Sequence, residues 1–176
     1  DFTFQEKTGD YLLCFGRMHY DKGIYEAIQI AKRFGKKLII AGIIQDQNYY
    51  NEKVLPYIDD EQVVFLGHVG PTKRNELLGG AYALLHPINF EEPFGLSIAE
   101  AMLCGTPVVA FNRGSMPELI KHNETGFLVN TISEAAEILK DIDKLSRKKC
   151  YDWAYSQFSR EKMTENYIKA YQKILG

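Results

Sequence analysis

F-E-E-P-F-G-L-S-I-A-E-A-M-L-C-G-T-P-V-V-A, from Phe90 to Ala110, reads as a loop, a helix and a strand in succession. Glu92 and Glu100 stand on either side of a helix start, joined by Pro93, Phe94 and Gly95. Gly105 supplies a natural C-terminal cap, and Pro107 opens a β-branched run typical of a buried strand. A helix N-terminus carries unpaired amides and the positive end of a macrodipole, so this stretch offers an anion a ready site.

Working outward, the same alternation recurs. Tyr11 to Phe15 is a short buried strand ending at Gly16-Arg17. Ile24, Ala27, Ile28, Ala31 and Phe34 then repeat at helical spacing, with Glu26, Lys32 and Arg33 on the other side. Lys37 to Ala41 is a second strand, and Asp46 to Ile58 reads as a helix that Pro56 breaks or ends. Val63 to Leu66 is a third strand, Pro71 opens a helix that Gly79-Gly80 terminates, and Ala83 to Leu85 is a fourth strand entering His86-Pro87. Pro107 to Phe111, a helical piece over Pro117 to Lys121, and Phe127 to Val129 complete the pattern. Ser133 to Leu145, Arg147 to Gln157 and Ser159 to Leu175 read as three helices. Short, continuously apolar strands alternating with helices predict an α/β, Rossmann-like, three-layer doubly wound parallel sheet of about six strands with extra C-terminal helices. Residues 1–10 read as a linker, 11–158 as the domain and 159–176 as a C-terminal helix.

Composition narrows the function. The chain has 176 residues, 45% hydrophobic and 25% charged, as expected for one soluble domain with its own core. A net charge of -2 argues against nucleic-acid binding through a global positive field. Cys14, Cys104 and Cys150 are odd in number and widely separated, the pattern of reduced thiols, and a cytoplasmic location is expected. No apolar run approaches the roughly 20 residues that a membrane span needs, and nothing at the N-terminus reads as a signal peptide. The sequon Asn123-Glu124-Thr125 is then a chance match. The basic cluster Arg147, Lys148 and Lys149 reads as a solvated helix face.

In a doubly wound sheet, ligands bind outside the carboxyl ends of the strands where the winding reverses. Gly16, Arg17, Lys22 and Gly23 follow the first strand; Gly67 and Gly70 follow the third; Glu92 to Gly95 follow the fourth; Arg113, Gly114 and Glu118 follow the fifth. Four loops are thereby predicted to converge on one cleft. The first of them suits a diphosphate, because glycine admits close backbone approach, Arg17 can make a forked contact and Lys22 is a mobile point charge. For an arbitrary loop Arg and Lys the default is solvated charge. The amides of Phe94, Gly95, Leu96 and Ser97 are predicted to meet an anion such as phosphate, and Gly95 permits close approach. Glu100 one turn into the helix has an ordinary structural explanation in the macrodipole, and Glu91 reads as solvated. His86, at a strand end before proline, is of a kind more often packed or hydrogen-bonded than catalytic, although it borders the cleft. His68 presents a weaker version of the same case. Tyr20 and Tyr82 could stack on a base, but aromatics at such spacings are more often core.

Glu92-Pro93-Phe94-Gly95-Leu96, Ala99-Glu100-Ala101-Met102 and Gly105-Thr106-Pro107-Val108-Val109 resemble the Glu-x7-Glu signature of retaining glycosyltransferases of family 4. The resemblance is specific over Tyr11 to Val129 and holds only by pattern beyond. It implies the C-terminal, nucleotide-sugar-binding half of a GT-B fold. It implies that Arg17 and Lys22 neutralise the leaving nucleoside diphosphate, that Glu100 holds the ribose diol and that Glu92 orients the donor sugar. Gly16 serves the diphosphate loop, and Gly67 and Val69 are the candidates for holding the base. Family members often carry a small or hydroxyl residue where His86 stands, which makes it a candidate for shaping the sugar pocket. Phe111 to Glu118 resembles the family's glycine-containing loop leading to a Pro-Glu pair, with Glu118 expected to cap or orient the next helix. Asn123 stands where glycine is frequent, and asparagine tolerates the left-handed conformation such a turn requires.

What is missing also informs. There is no G-x-G-x-x-G after the first strand and no G-x-x-x-x-G-K-[ST], so dehydrogenase and P-loop readings are disfavoured. No His/Cys cluster has metal-ligand spacing, so neither metal nor other cofactor is expected. The expected function is donor binding in a metal-independent transfer of a hexose-type sugar from a UDP- or GDP-sugar to an acceptor hydroxyl. The acceptor, sugar, lipid-linked or glycoconjugate, would bind a missing N-terminal half, which would also make any membrane contact; alone, this chain is expected to transfer little or nothing. A GT-B epimerase or phosphorylase, and a non-catalytic nucleotide-binding or interaction module, are the alternatives. The epimerase would need a hydrolytic or epimerising apparatus and the phosphorylase a pyridoxal-phosphate lysine, and neither is identifiable.

Overall fold

The computed structural model describes residues 2–175. Six strands, β1 (Tyr11–Phe15), β2 (Lys37–Ala41), β3 (Val63–Phe65), β4 (Ala83–His86), β5 (Val108–Phe111) and β6 (Gly126–Val129), form one sheet. Its order is β3-β2-β1-β4-β5-β6, and every pairing is parallel. The winding therefore reverses between β1 and β4, whose registers bring Leu12 opposite Ala83 and Leu13 opposite Leu84.

Each strand is buried on both faces, which explains why the strands are apolar throughout rather than alternating. The two faces still sort by the period of two. Leu12, Cys14, Leu38 and Ile40 pack beneath α1 (Ile24–Phe34) and α6 (Ile132–Ile138). Leu13, Leu84, Val108 and Ala110 pack beneath α3 (Pro71–Gly80), α4 (Leu96–Leu103), α5 (Met116–Leu119) and α7 (Arg147–Phe158). The three-layer α/β prediction holds, with the extra C-terminal helices present as α7 and α8 (Arg160–Leu175).

Helix ends follow local chemistry. Asp46 and Thr131 cap α2 (Gln47–Tyr49) and α6 by accepting from Tyr49 N and Glu134 N. The α4 helix closes in a Schellman motif, with Gly105 N donating to Met102 O at 2.8 Å and Thr106 N to Ala101 O at 2.9 Å. Gly105 has φ 87° there, and Asn123 adopts the left-handed conformation at φ 66°.

Three expectations are corrected. The predicted helix over Asp46 to Ile58 is instead α2, a π-helical turn over Tyr50–Val54 and a 3-10 turn over Leu55–Tyr57, because Pro56 cannot continue an α-helical ladder. The predicted helix over Ser133 to Leu145 splits into α6 and a 3-10 stretch, Leu139–Lys144. Arg147 is no solvated residue. Its guanidinium donates to the carbonyls of Gln5 (2.8 Å), Ala81 (3.0 Å) and Gly79 and to Thr106 Oγ1 (2.8 Å), while Lys148 and Lys149 are exposed.

The segment before β1 is tied to this body. Gln5 N donates to Cys104 O, Gly9 N to Gly80 O, and Thr3 exchanges hydrogen bonds with Asn75. All three cysteines are buried and free, with burial pushing the Cys14 and Cys150 thiols up to about 12 and Cys104 to about 11.

Candidate functional site

At the reversal point, the loops after β1 and β4 lock together through backbone. Gly23, at φ 64°, lies so close to Pro87 that a Cβ would sit 1.8 Å from the proline carbonyl oxygen. Asn89 N donates to Asp21 O at 2.8 Å, and Asn89 Nδ2 donates to Glu26 Oε1 at 2.9 Å. This lock carries Lys22 over the crevice. Its stem crosses Gly16, where an added Cβ would meet Lys22 Cβ and Cγ at 3.7 Å, and its ammonium sits 4.5 Å from the Phe90 ring centroid.

Lys22 Nζ reaches Glu92 Oε2 at 2.5 Å, with both side chains mostly buried. The same carboxylate oxygen lies 3.8 Å from His86 Nε2. His86 is 5% exposed, and its Nε2 has no hydrogen-bond partner among the described residues. Burial first, and the Lys22 charge second, lower its pKa to about 3, so the imidazole is neutral at physiological pH.

The loop bearing Glu92 is held from below. Ser115 N donates to Glu92 O at 2.9 Å and Ser115 Oγ to Phe94 O at 2.7 Å. Glu91, expected to be solvated, instead accepts from Gly114 N at 2.5 Å, although the residue remains exposed. Gly114 has φ 55°, and a Cβ there would meet Glu92 O at 2.4 Å, so close approach as well as the turn demands glycine. Arg113 does not enter the crevice; it donates to Ile88 O and Asn89 Oδ1. Gly95, at φ 93°, starts α4 without a side-chain cap. The amides of Gly95, Leu96 and Ser97 accordingly have no protein acceptor among the described residues.

Glu100 lies deeper on α4 and forms an ion pair with Arg74 from the first turn of α3. The Arg74 guanidinium carbon stands 4.8 Å from the Phe15 ring centroid at the end of β1. Burial raises the Glu100 pKa, against the lowering effect of Arg74. Gly67 has φ 67°, and its carbonyl accepts from Gly42 N at 2.9 Å, tying the loops after β2 and β3; Val69 packs against the core. Arg17 is exposed and makes no ion pair among the described residues.

Lys22, His86 and Glu92 thus meet directly, with Gly16 and Gly95 alongside; Glu100 occupies a neighbouring pair; and Arg17 projects to solvent. Phe94 and Leu96 face outward, at 41% and 68% exposure. Tyr82 is core, donating to Asp143, whereas Tyr20 is exposed. Sequence reasoning missed Arg74, whose only signal was its place in a helix opened by Pro71, and Ser115, a residue type too common to stand out. Sequence reasoning also overlooked an Asp-x-Asp sequence, Asp141-Ile142-Asp143, and it lies outside the crevice: Asp141 pairs with Lys144, and Asp143 accepts from Tyr82. Among the described residues no group of three or more His, Cys, Asp and Glu side chains could hold a metal ion, and no helix is long and apolar enough to cross a membrane.

The chain is similar to several known proteins. Over 122 residues it is 36% identical to an uncharacterised glycosyltransferase of Methanocaldococcus jannaschii, covering 67% of this chain and 31% of that protein. The crystal structure of AviGT4, a glycosyltransferase involved in avilamycin A biosynthesis, superposes with a TM-score of 0.82 at 26% identity, covering 97% of this chain and 53% of that one. Anabaena HepE in complex with UDP-glucose superposes with a TM-score of 0.79 at 25% identity, covering 94% and 49%. The chain therefore spans about a third to a half of the length of these proteins. Residues 2–170 match the family model described as glycosyl transferases group 1, and the chain belongs to that family.

Proposed function

We propose that this chain is the donor-binding domain of a retaining glycosyltransferase of family 4 that uses a nucleoside-diphosphate hexose, without a metal ion. The observation that carries this reading is the meeting of Lys22 and Glu92 across the β1/β4 reversal, beside the uncapped start of α4. HepE of Anabaena, similar over nearly the whole chain, has been crystallised with UDP-glucose.

In this reading the diphosphate lies over Gly16 and the amides of Gly95, Leu96 and Ser97, with Lys22 and Arg17 as its cations. Glu92 orients the transferred sugar and Glu100 takes the ribose diol. The base lies against Gly67 and Val69. The acceptor hydroxyl, delivered by a separate acceptor-binding half, attacks the anomeric carbon from the face that the diphosphate leaves. Its oxygen bonds to that carbon as the carbon–oxygen bond to phosphate breaks, and the departing phosphate oxygen accepts the hydroxyl proton. The negative charge that builds on the diphosphate is what Lys22, Arg17 and the helix N-terminus stabilise.

Replacing Lys22 or Arg17 with Ala is expected to weaken nucleoside diphosphates by about tenfold or more each, while free nucleosides change little, since each substitution removes a charge-assisted contact. Equal losses for diphosphates and nucleosides would contradict the clamp.

A further inference from the structure

Among the described residues His86 Nε2 is a buried polar atom without a hydrogen-bond partner, on a side chain that is almost fully enclosed, and the Glu92 carboxylate lies just beyond its reach. Nε2 and Oε2 stand 3.8 Å apart, beyond a hydrogen bond by less than one ångström. Buried polar atoms without partners are rare in native proteins, and each asks for a state in which it is satisfied. Here Lys22 holds the same oxygen, Oε2, at 2.5 Å, and in that position the carboxylate stays short of Nε2.

A diphosphate in the crevice would change this balance. It brings more negative charge than one carboxylate and competes for the Lys22 ammonium, and it repels Glu92 at the same time. A carboxylate left in a mostly buried position without a donor is strongly disfavoured. Closing the 3.8 Å gap by less than one ångström would bring Oε2 within hydrogen-bond reach of His86 Nε2.

We propose that His86 is a positioning residue: when a diphosphate takes Lys22, the Glu92 carboxylate passes from Lys22 to the Nε2–H of His86, which holds it against the transferred sugar. This inference rests on the donor-binding reading above. The handover makes chemical sense because the new partner is neutral. Burial, the larger cause of the lowered pKa and the one that does not depend on Lys22, disfavours the imidazolium, so the imidazole directs the carboxylate without neutralising it. Glu92 retains a full negative charge for the sugar hydroxyls.

Histidine nitrogen NMR of the 176-residue chain tests this directly, with His86→Gln identifying the resonance among the four histidines. In the free chain His86 is expected to be neutral with its proton on Nε2. Lys22→Met is expected to move the Nε2–H resonance downfield with no ligand present, as the hydrogen bond to Glu92 forms. Saturation with UDP or GDP is expected to produce the same movement in the unaltered chain. A proton on Nδ1, or an Nε2–H resonance that ignores Lys22→Met, would overturn the handover. A response to Lys22→Met with no binding of any nucleotide would instead sink the donor reading and leave the Glu92–His86 contact standing. In binding, His86→Phe is expected to weaken a nucleoside-diphosphate sugar about tenfold relative to the diphosphate alone, the worth of one hydrogen bond to a charged group, with His86→Gln restoring part of it. Equal affinity changes for both ligands would contradict positioning through Glu92.

Discussion

Lys22 Nζ and Glu92 Oε2 meet at 2.5 Å although the residues are 70 positions apart, one carried by the loop after β1 and the other by the loop after β4. The contact therefore reports the closure of the crevice as well as its chemistry. A mostly buried ion pair contributes little net stability, because desolvation offsets the attraction, whereas removing one partner strands the other. Glu92→Leu alone is expected to cost about 1–3 kcal/mol and Lys22→Met a similar amount, while the double replacement returns close to the stability of the original chain. Urea denaturation of the four chains checks this. Additive losses would show that the two side chains act independently.

Gly23 and Gly35 both adopt left-handed conformations, at φ 64° and 79°, but in different surroundings. Nothing lies within 4 Å of a Cβ on Gly35, whereas one on Gly23 would collide with Pro87 O. Gly35→Ala is expected to cost about 1 kcal/mol, the backbone strain alone. Gly23→Ala is expected to cost about 3 kcal/mol or more and to impair ligand binding, since the loop carrying Lys22 must move. Similar melting temperatures for the two variants would remove the backbone lock from the account.

Arg147 joins the segment before β1, the end of α3 and the start of β5 through four hydrogen bonds. Arg147→Ala is expected to cost about 2–4 kcal/mol by leaving several carbonyls unmet, and Arg147→Lys to recover less than half, because a point charge cannot reproduce the fork. Denaturation midpoints measure both. A negligible effect of Arg147→Ala would return the residue to the solvated face that its neighbours Lys148 and Lys149 occupy.

Stability is expected to depend on His86 at acid pH. With a folded value near 3 against about 6.5 in the unfolded chain, the unfolded state binds a proton that the folded state refuses. Stability from this residue is complete above about pH 6.5 and declines as the pH falls toward about 3, by up to ~1.4 kcal/mol per unit. The pH profile of the melting temperature in the original chain should be steeper over that window than in His86→Gln. Parallel profiles would mean that His86 titrates normally.

Strands and most helices were legible because two-sided burial writes continuous apolar runs such as Tyr11 to Phe15, and because caps such as Gly105 mark their ends. The Asp46 to Ile58 region was not, since Pro56 announces a break without saying which turns replace the helix. Of the site, Lys22 and Glu92 stood out by position and motif. Arg74 and Ser115 did not, because their roles arise from packing against Glu100 and against the carbonyl of Phe94, relations between distant segments that no local pattern encodes. Arg147 was misread for the same reason: three basic residues in a row look alike until the carbonyls that one of them meets, from Gln5, Gly79 and Ala81, are known.

Under the proposed function, the crevice between β1 and β4 binds a nucleoside-diphosphate sugar. Calorimetric titration of the chain with UDP, GDP and ADP, and with their glucose or mannose conjugates, tests it most directly. Saturable one-to-one binding of at least one diphosphate and its sugar conjugate, lost in Lys22→Ala, is the predicted result. No binding by any member of that panel, or binding that Lys22→Ala leaves unchanged, would contradict it.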